Sequence, residues 1–134
     1  MVEQADCTKR LPSKDGAFDR VVMTYVVDLL PYTAISALLQ EAVRILRRDG
    51  RLCIVSLTEG TGPVSRLICS TWKLAYALNP ALVGGCRPLR AESLIDSDLW
   101  HIEYREVVSC WGICSEICIA AVRNVCAMTG TEAL

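Results

Sequence analysis

Residues 18–57, FDRVVMTYVVDLLPYTAISALLQEAVRILRRDGRLCIVSL, decide the fold. Phe18, Val21, Val22 and Met23 form a mostly apolar, β-branched run, which predicts a central strand covered on both faces. After Pro31, the residues Ile35, Leu38, Leu39, Ala42, Val43 and Leu46 recur at helical spacing and draw one stripe along a helix. Gln40, Glu41, Arg44, Arg47 and Arg48 lie opposite. Thr33 is the expected N-cap, Arg47 and Arg48 sit where the macrodipole favours cations, and Gly50 is expected to stop the helix in a left-handed conformation. Leu52, Cys53, Ile54, Val55 and Leu57 follow as a second buried strand. Strand, helical crossover and strand make a βαβ unit, which implies parallel neighbours in an open sheet flanked by helices.

Upstream, residues 1–7 read as the tail of a strand, followed by a polar link with Pro12 and Asp15-Gly16 as turn signals. Downstream, Glu59-Gly60-Thr61-Gly62-Pro63 turns the chain into a helix over 64–77, with Leu67, Ile68, Thr71, Leu74, Ala75 and Leu78 on one side. Asn79-Pro80 ends it, because the residue before proline is pushed out of the helical region. A loop through Gly84, Gly85 and Arg87 leads to a short helix over 91–96. Two β-rich runs, 100–108 and 113–122, are separated by Trp111-Gly112 and predict an antiparallel pair closing the sheet. One domain over 1–125 results, and 126–134 is expected to be a disordered tail.

Composition narrows the function. The chain has 134 residues, 52% of them hydrophobic, enough for one core of useful size. Its formal net charge is −1, so it lacks the basic field that nucleic-acid binding draws on. It holds no apolar run of about eighteen residues and no signal-like start, so neither a membrane nor export is expected, and the reading is cytoplasmic. The eight cysteines mostly sit inside apolar runs and read as buried free thiols rather than a disulfide framework. Cys110, Cys114 and Cys118 repeat every fourth residue, but the β-rich surroundings put Cys114 and Cys118 on a strand face, and no metal site is expected. His101, the single histidine, is read as structural.

The order and spacing of several short patterns carry a resemblance. Asp6-Cys7, Leu11-Pro12, Asp15-Gly16-x-Phe18-Asp19-x-Val21, Leu29-Leu30-Pro31 and Arg44-Ile45-Leu46-Arg47-Arg48-Asp49-Gly50-Arg51-Leu52 resemble the second half of class I S-adenosylmethionine-dependent methyltransferases, nearest to methyltransferase domain type 11. The likeness is continuous over 3–57 and continues as a general layout to Val122. It implies an α/β fold: a partial Rossmann-like methyltransferase sheet, mostly parallel, with an antiparallel C-terminal hairpin strand and flanking helices. In that family a glycine-rich loop after the first strand receives the methionine part of the cofactor, and an acidic residue after the second strand binds the ribose. Neither is present in this sequence, so the resemblance implies an N-terminally truncated member. Gly60-x-Gly62 and Gly84-Gly85 lack the context to replace the loop.

The resemblance also assigns residues. Asp6 stands where a carboxylate accepts from the adenine amine of S-adenosylmethionine, and Cys7 where a small residue supplies backbone contacts. Thr24, Tyr25 and Val26 end the strand at the edge where open α/β sheets bind ligands. Methyl transfer is a displacement that needs alignment and, for some acceptors, a base. Asp28 is the candidate catalytic base, and Arg87 the candidate clamp for an anionic small-molecule acceptor. Thr24-Tyr25-Val26-Val27 does not match the N-P-P-Y-type motif of amide and nucleobase methyltransferases, and no G-x-S-x-G turn supports a hydrolase. Lost strands imply an open sheet edge, hence a homo-oligomer or a partner chain covering it. The alternative reading is a non-catalytic methyltransferase-like fragment acting as a binding or regulatory partner.

Overall fold

The computed structural model describes residues 4–7 and 9–123. Four strands form one mixed sheet in the order β1 (Phe18–Thr24), β2 (Leu46–Thr58), β4 (Ile113–Val122), β3 (Trp100–Cys110). β1 runs parallel to β2, while β4 is antiparallel to both β2 and β3. Helix α1 (Tyr32–Ile45) crosses between β1 and β2, and α2 (Pro63–Leu78) and the short α3 (Ala91–Leu94) lie between β2 and β3. No described helix is long and apolar enough to cross a membrane. The expected tail, 126–134, falls outside the described residues.

The core lies on one face of the sheet. Met23, Leu52, Ile54, Cys118 and Ala120 point to that face and pack with Ile35, Leu38, Leu39 and Ala42 of α1 and with Leu89, Ala91 and Trp100. Each fully buried aliphatic side chain there contributes about 1.5–3 kcal/mol. The alternate residues form an open face, on which Val22 is 65% exposed and Tyr104, Val108 and Ile113 are also exposed.

Three expectations need correction. β1 is an edge strand among the described residues, not a central one; its continuous apolar run marks a sheet-edge strand whose second face is uncovered. Helix α1 is N-capped by Pro31, not Thr33, and needs no glycine stop, because Leu46 is already extended and buried as the first residue of β2. Gly50 instead serves a close approach. Here the β1–β2 register jumps from Phe18↔Leu46 to Arg20↔Arg51, and a Cβ on Gly50 would stand 2.8 Å from the Arg47 carbonyl oxygen.

Helix α2 also turns a different face inward. Ser65, Ile68, Cys69, Trp72 and Tyr76 are buried or half-buried, whereas Leu67, Leu74 and Leu78 are exposed. Apolar residues occupy two faces of this helix, so periodicity does not select one. Polar contacts do: Trp72 Nε1 donates to the Cys86 carbonyl at 3.0 Å, and Cys114 Sγ lies 3.6 Å from Ser65 Oγ.

Candidate functional site

The carboxyl end of β1 is shaped by one unusual residue. Thr24 ends the strand, paired with Val55 and exposed. Tyr25 then adopts φ 53°, a left-handed conformation that costs a non-glycine residue about 1–2 kcal/mol. Its backbone N–H still donates to the Val55 carbonyl at 2.7 Å. Its hydroxyl lies 3.0 Å from Ser115 Oγ, which places the ring across β2 toward β4 on the open face. Val26 turns back, packs against the core and opens a short 3₁₀ turn, Val27–Leu29.

A second left-handed aromatic faces the same space. Trp111 and Gly112 have φ 55° and 82°, the two-residue hairpin geometry that matches strand twist. Glycine suits position 112 because its φ of 82° strains any other residue, and a Cβ would also displace the Ile68 terminal methyl at 2.4 Å; Trp111 is left 95% exposed. Tyr25, Val55, Val108, Trp111, Ile113 and Ile117 line an apolar hollow of about 500 Å³. Neither aromatic's backbone conformation was legible in the sequence, although Trp-Gly between two strands marked the turn.

The N-terminal segment is tied to α1 by Arg44, a residue that periodicity assigned only to a polar face. Its guanidinium donates to Glu41 at 2.7 Å, to Asp15 at 2.6 Å, and to the carbonyls of Ser13 and Leu11 at 2.8 and 3.1 Å. Glu41 in turn accepts the Leu11 N–H at 2.9 Å. The hydrogen bond from Arg44, then that from Leu11, holds the Glu41 carboxyl down at about 2. Upstream of this tether Cys7 is half-buried against the same core that Val26 touches. Asp6 is exposed, 3.4 Å from Lys9 Nζ.

Asp28 and Arg87 are brought together, Asp28 buried and Arg87 half-buried. Asp28 is fully buried; its Oδ2 accepts the Leu57 N–H at 3.0 Å and its Oδ1 has no protein partner. Burial raises its pKa to about 6, against the opposing effects of that hydrogen bond and of Arg87. Arg87 donates its backbone N–H to the Asp28 carbonyl at 3.2 Å and its Nη2 to the Leu30 carbonyl at 2.7 Å, and its guanidinium sits 4.4 Å from the Tyr32 ring centroid. Both side chains thus brace the turn after β1. The seven described cysteines are free thiols, and no three potential ligands gather as a metal site among the described residues.

Comparison with known proteins bears on the fold. A family model described as a methyltransferase domain matches residues 1–54. The matched stretch takes in β1, α1 and most of β2. A search of curated proteins finds no match. Among solved structures, the chain resembles a SAM-dependent methyltransferase from Methanosarcina mazei (TM-score 0.66, 15% identity, covering 87% of this chain and 64% of that one). It also resembles the magnesium protoporphyrin IX methyltransferase of Synechocystis PCC 6803 with bound SAH (TM-score 0.60, 19% identity, 90% and 49%). A third is a putative methyltransferase from Bacillus halodurans C-125 (TM-score 0.63, 12% identity, 88% and 69%). The chain therefore spans 64% and 49% of the length of the first two. At these identities the likeness shows the fold.

The fit of the chain to S-adenosylmethionine is partial. Between β2 and α2 the Gly60 cradle is filled by the protein itself, because a Cβ there would lie 1.9 Å from Ser65 Cβ. Gly84 and Gly85 form left-handed turns after a 3₁₀ segment rather than between a strand and a helix. No described glycine loop thus offers the close backbone approach that the methionine end of the cofactor requires.

Proposed function

We propose that this chain is a methyltransferase domain that contributes the acceptor-side half of an S-adenosylmethionine-dependent methyl-transfer site acting on a small molecule. The observation that carries the reading is the hollow beside Tyr25, at the carboxyl end of β1 and β2, where open α/β sheets bind ligands. Its apolar walls suit an uncharged, planar acceptor, and the Tyr25 and Ser115 hydroxyls offer it one polar handle. The cofactor supplies an electrophilic methyl group. Asp6 would accept from its adenine amine, Cys7 would supply backbone contacts, and Thr24, Tyr25 and Val26 would hold it at the strand end. Asp28 and Arg87 act as positioning residues that fix the Tyr25–Pro31 turn.

Isothermal titration of the chain with S-adenosylmethionine tests this. Saturable binding that weakens in Asp6→Ala supports the reading, and no heat at millimolar cofactor overturns it. A second reading, a binding or regulatory partner without chemistry, is favoured by the exposed apolar face and by the edge of β1, which pairs with no other strand among the described residues. Retained binding of a partner chain in a Tyr25→Ala variant that has lost all affinity for cofactor distinguishes it.

A further inference from the structure

We propose that a second hollow, between α2 and the loop after β2, binds the phosphate group of a small-molecule ligand. This inference does not rest on the methyl-transfer reading, and it concerns the opposite face of the sheet, where α2 packs. After β2, residues 59–62 fold back so closely over the first turn of α2 that a Cβ on Gly60 would stand 1.9 Å from Ser65 Cβ and 2.7 Å from the Ser65 carbonyl carbon. Helix α2 then carries Arg66 and Lys73 seven residues apart, which puts both on one side of the helix, two turns from each other. Arg90 arrives from the segment before α3. With Glu59, Gly60 and Ser70 these residues line a hollow of about 440 Å³ at the carboxyl end of β2.

Charge and hydrogen-bonding capacity define the ligand. Three cations face one carboxylate, a local excess of positive charge in a chain whose formal net charge is −1. Glu59 pairs with Lys73 and, at 3.2 Å, with Arg90, so both cations are held at the rim with most of their donors unused. Arg66 has no side-chain partner among the described residues. Two guanidinium forks and an ammonium match the three terminal oxygens of a phosphate monoester better than the two of a carboxylate. The hollow is larger than a phosphate group, which leaves room for the organic part of the ligand. Glu59, the one anion, sets the spacing of Lys73 and Arg90 and disfavours ligands that present anionic oxygens on that side.

The test is titration of the full chain at low ionic strength, without cofactor, with inorganic phosphate and separately with malonate, read by isothermal calorimetry and by phosphorus NMR line width. Saturable phosphate binding is expected, weakened by added salt and reduced about tenfold or more in Arg66→Ala and Arg90→Ala. Malonate is expected to bind several-fold more weakly. Both arginines are exposed, so each variant is expected to keep the circular dichroism spectrum of the parent. No saturable phosphate binding, binding unchanged in both variants, or equal affinity for malonate overturns the proposal.

Discussion

Asp28 Oδ2 accepts the Leu57 backbone N–H at 3.0 Å, and this one bond ties the turn after β1 to the last residues of β2. The carboxyl is fully buried, its Oδ1 is unpartnered, and burial lifts its pKa from 3.8 to about 6. Between those two values the folded chain keeps a proton that the unfolded chain releases. The Asp28 contribution to stability therefore falls as pH rises through that window and stays at its low level above pH 6, by about 3 kcal/mol in all. In Asp28→Asn this pH dependence is expected to vanish, with little change at pH 4 and a gain at pH 7. Denaturant melts at the two pH values measure it. An unchanged slope between pH 4 and pH 6 contradicts it.

Arg44 makes the opposite case, since its partner Glu41 is held well below the ordinary carboxylate range and its contribution is lost as pH falls through 4.5 toward about 2. In Arg44→Met the Leu11 amide, which donates to Glu41, is expected to lose protection in hydrogen exchange by roughly one to two orders of magnitude. The Leu52 amide, inside the sheet, is expected to keep its rate. Equal loss at both positions would mean that Arg44 supports the whole fold rather than the N-terminal segment.

Two neighbouring glycines separate packing from backbone freedom. A Cβ on Gly60 overlaps Ser65, whereas one on Gly62 meets nothing within 4 Å. Gly60→Ala is expected to destabilise the chain by about 2–4 kcal/mol, because the loop must leave α2. Gly62→Ala, at the start of that helix, is expected to cost about 1 kcal/mol or less. Chemical denaturation of the pair checks both values.

The two faces of the sheet make a similar pair. Ile54 is fully buried against α1 and Val22 is 65% exposed on the open face. Ile54→Ala is expected to cost about 2–5 kcal/mol and Val22→Thr about 0.5 kcal/mol or less. A large cost at Val22 would reveal that the open face is covered in solution.

The βαβ unit was legible because strand and helix periodicities switch sharply at Pro31 and again near Leu46, and the hairpin because Trp111-Gly112 separates two β-rich runs. Strand order was not. The apolar run around Val22 suits an interior strand, and only pairing reveals that β1 lies at the edge. The inward face of α2 was hidden for a related reason, since small and polar Ser65 and Cys69 make the contact while Leu67, Leu74 and Leu78 stay outside. In the candidate site, the type and position of Tyr25 were readable, but its left-handed backbone and its reach to Ser115 depend on a strand ninety residues away. Arg44 looked like a solvated helix residue because its partners Leu11, Ser13 and Asp15 meet it only in the folded chain.

Proton–nitrogen NMR of the chain titrated with S-adenosylmethionine tests whether the cofactor binds at the carboxyl end of β1, as proposed. Saturable shifts are expected at the amides of Asp6, Cys7, Thr24, Tyr25 and Val26, with the amides of Arg66 and Lys73 on α2 unmoved. Absence of any shift at millimolar cofactor, or shifts confined to residues away from this strand end, would contradict it.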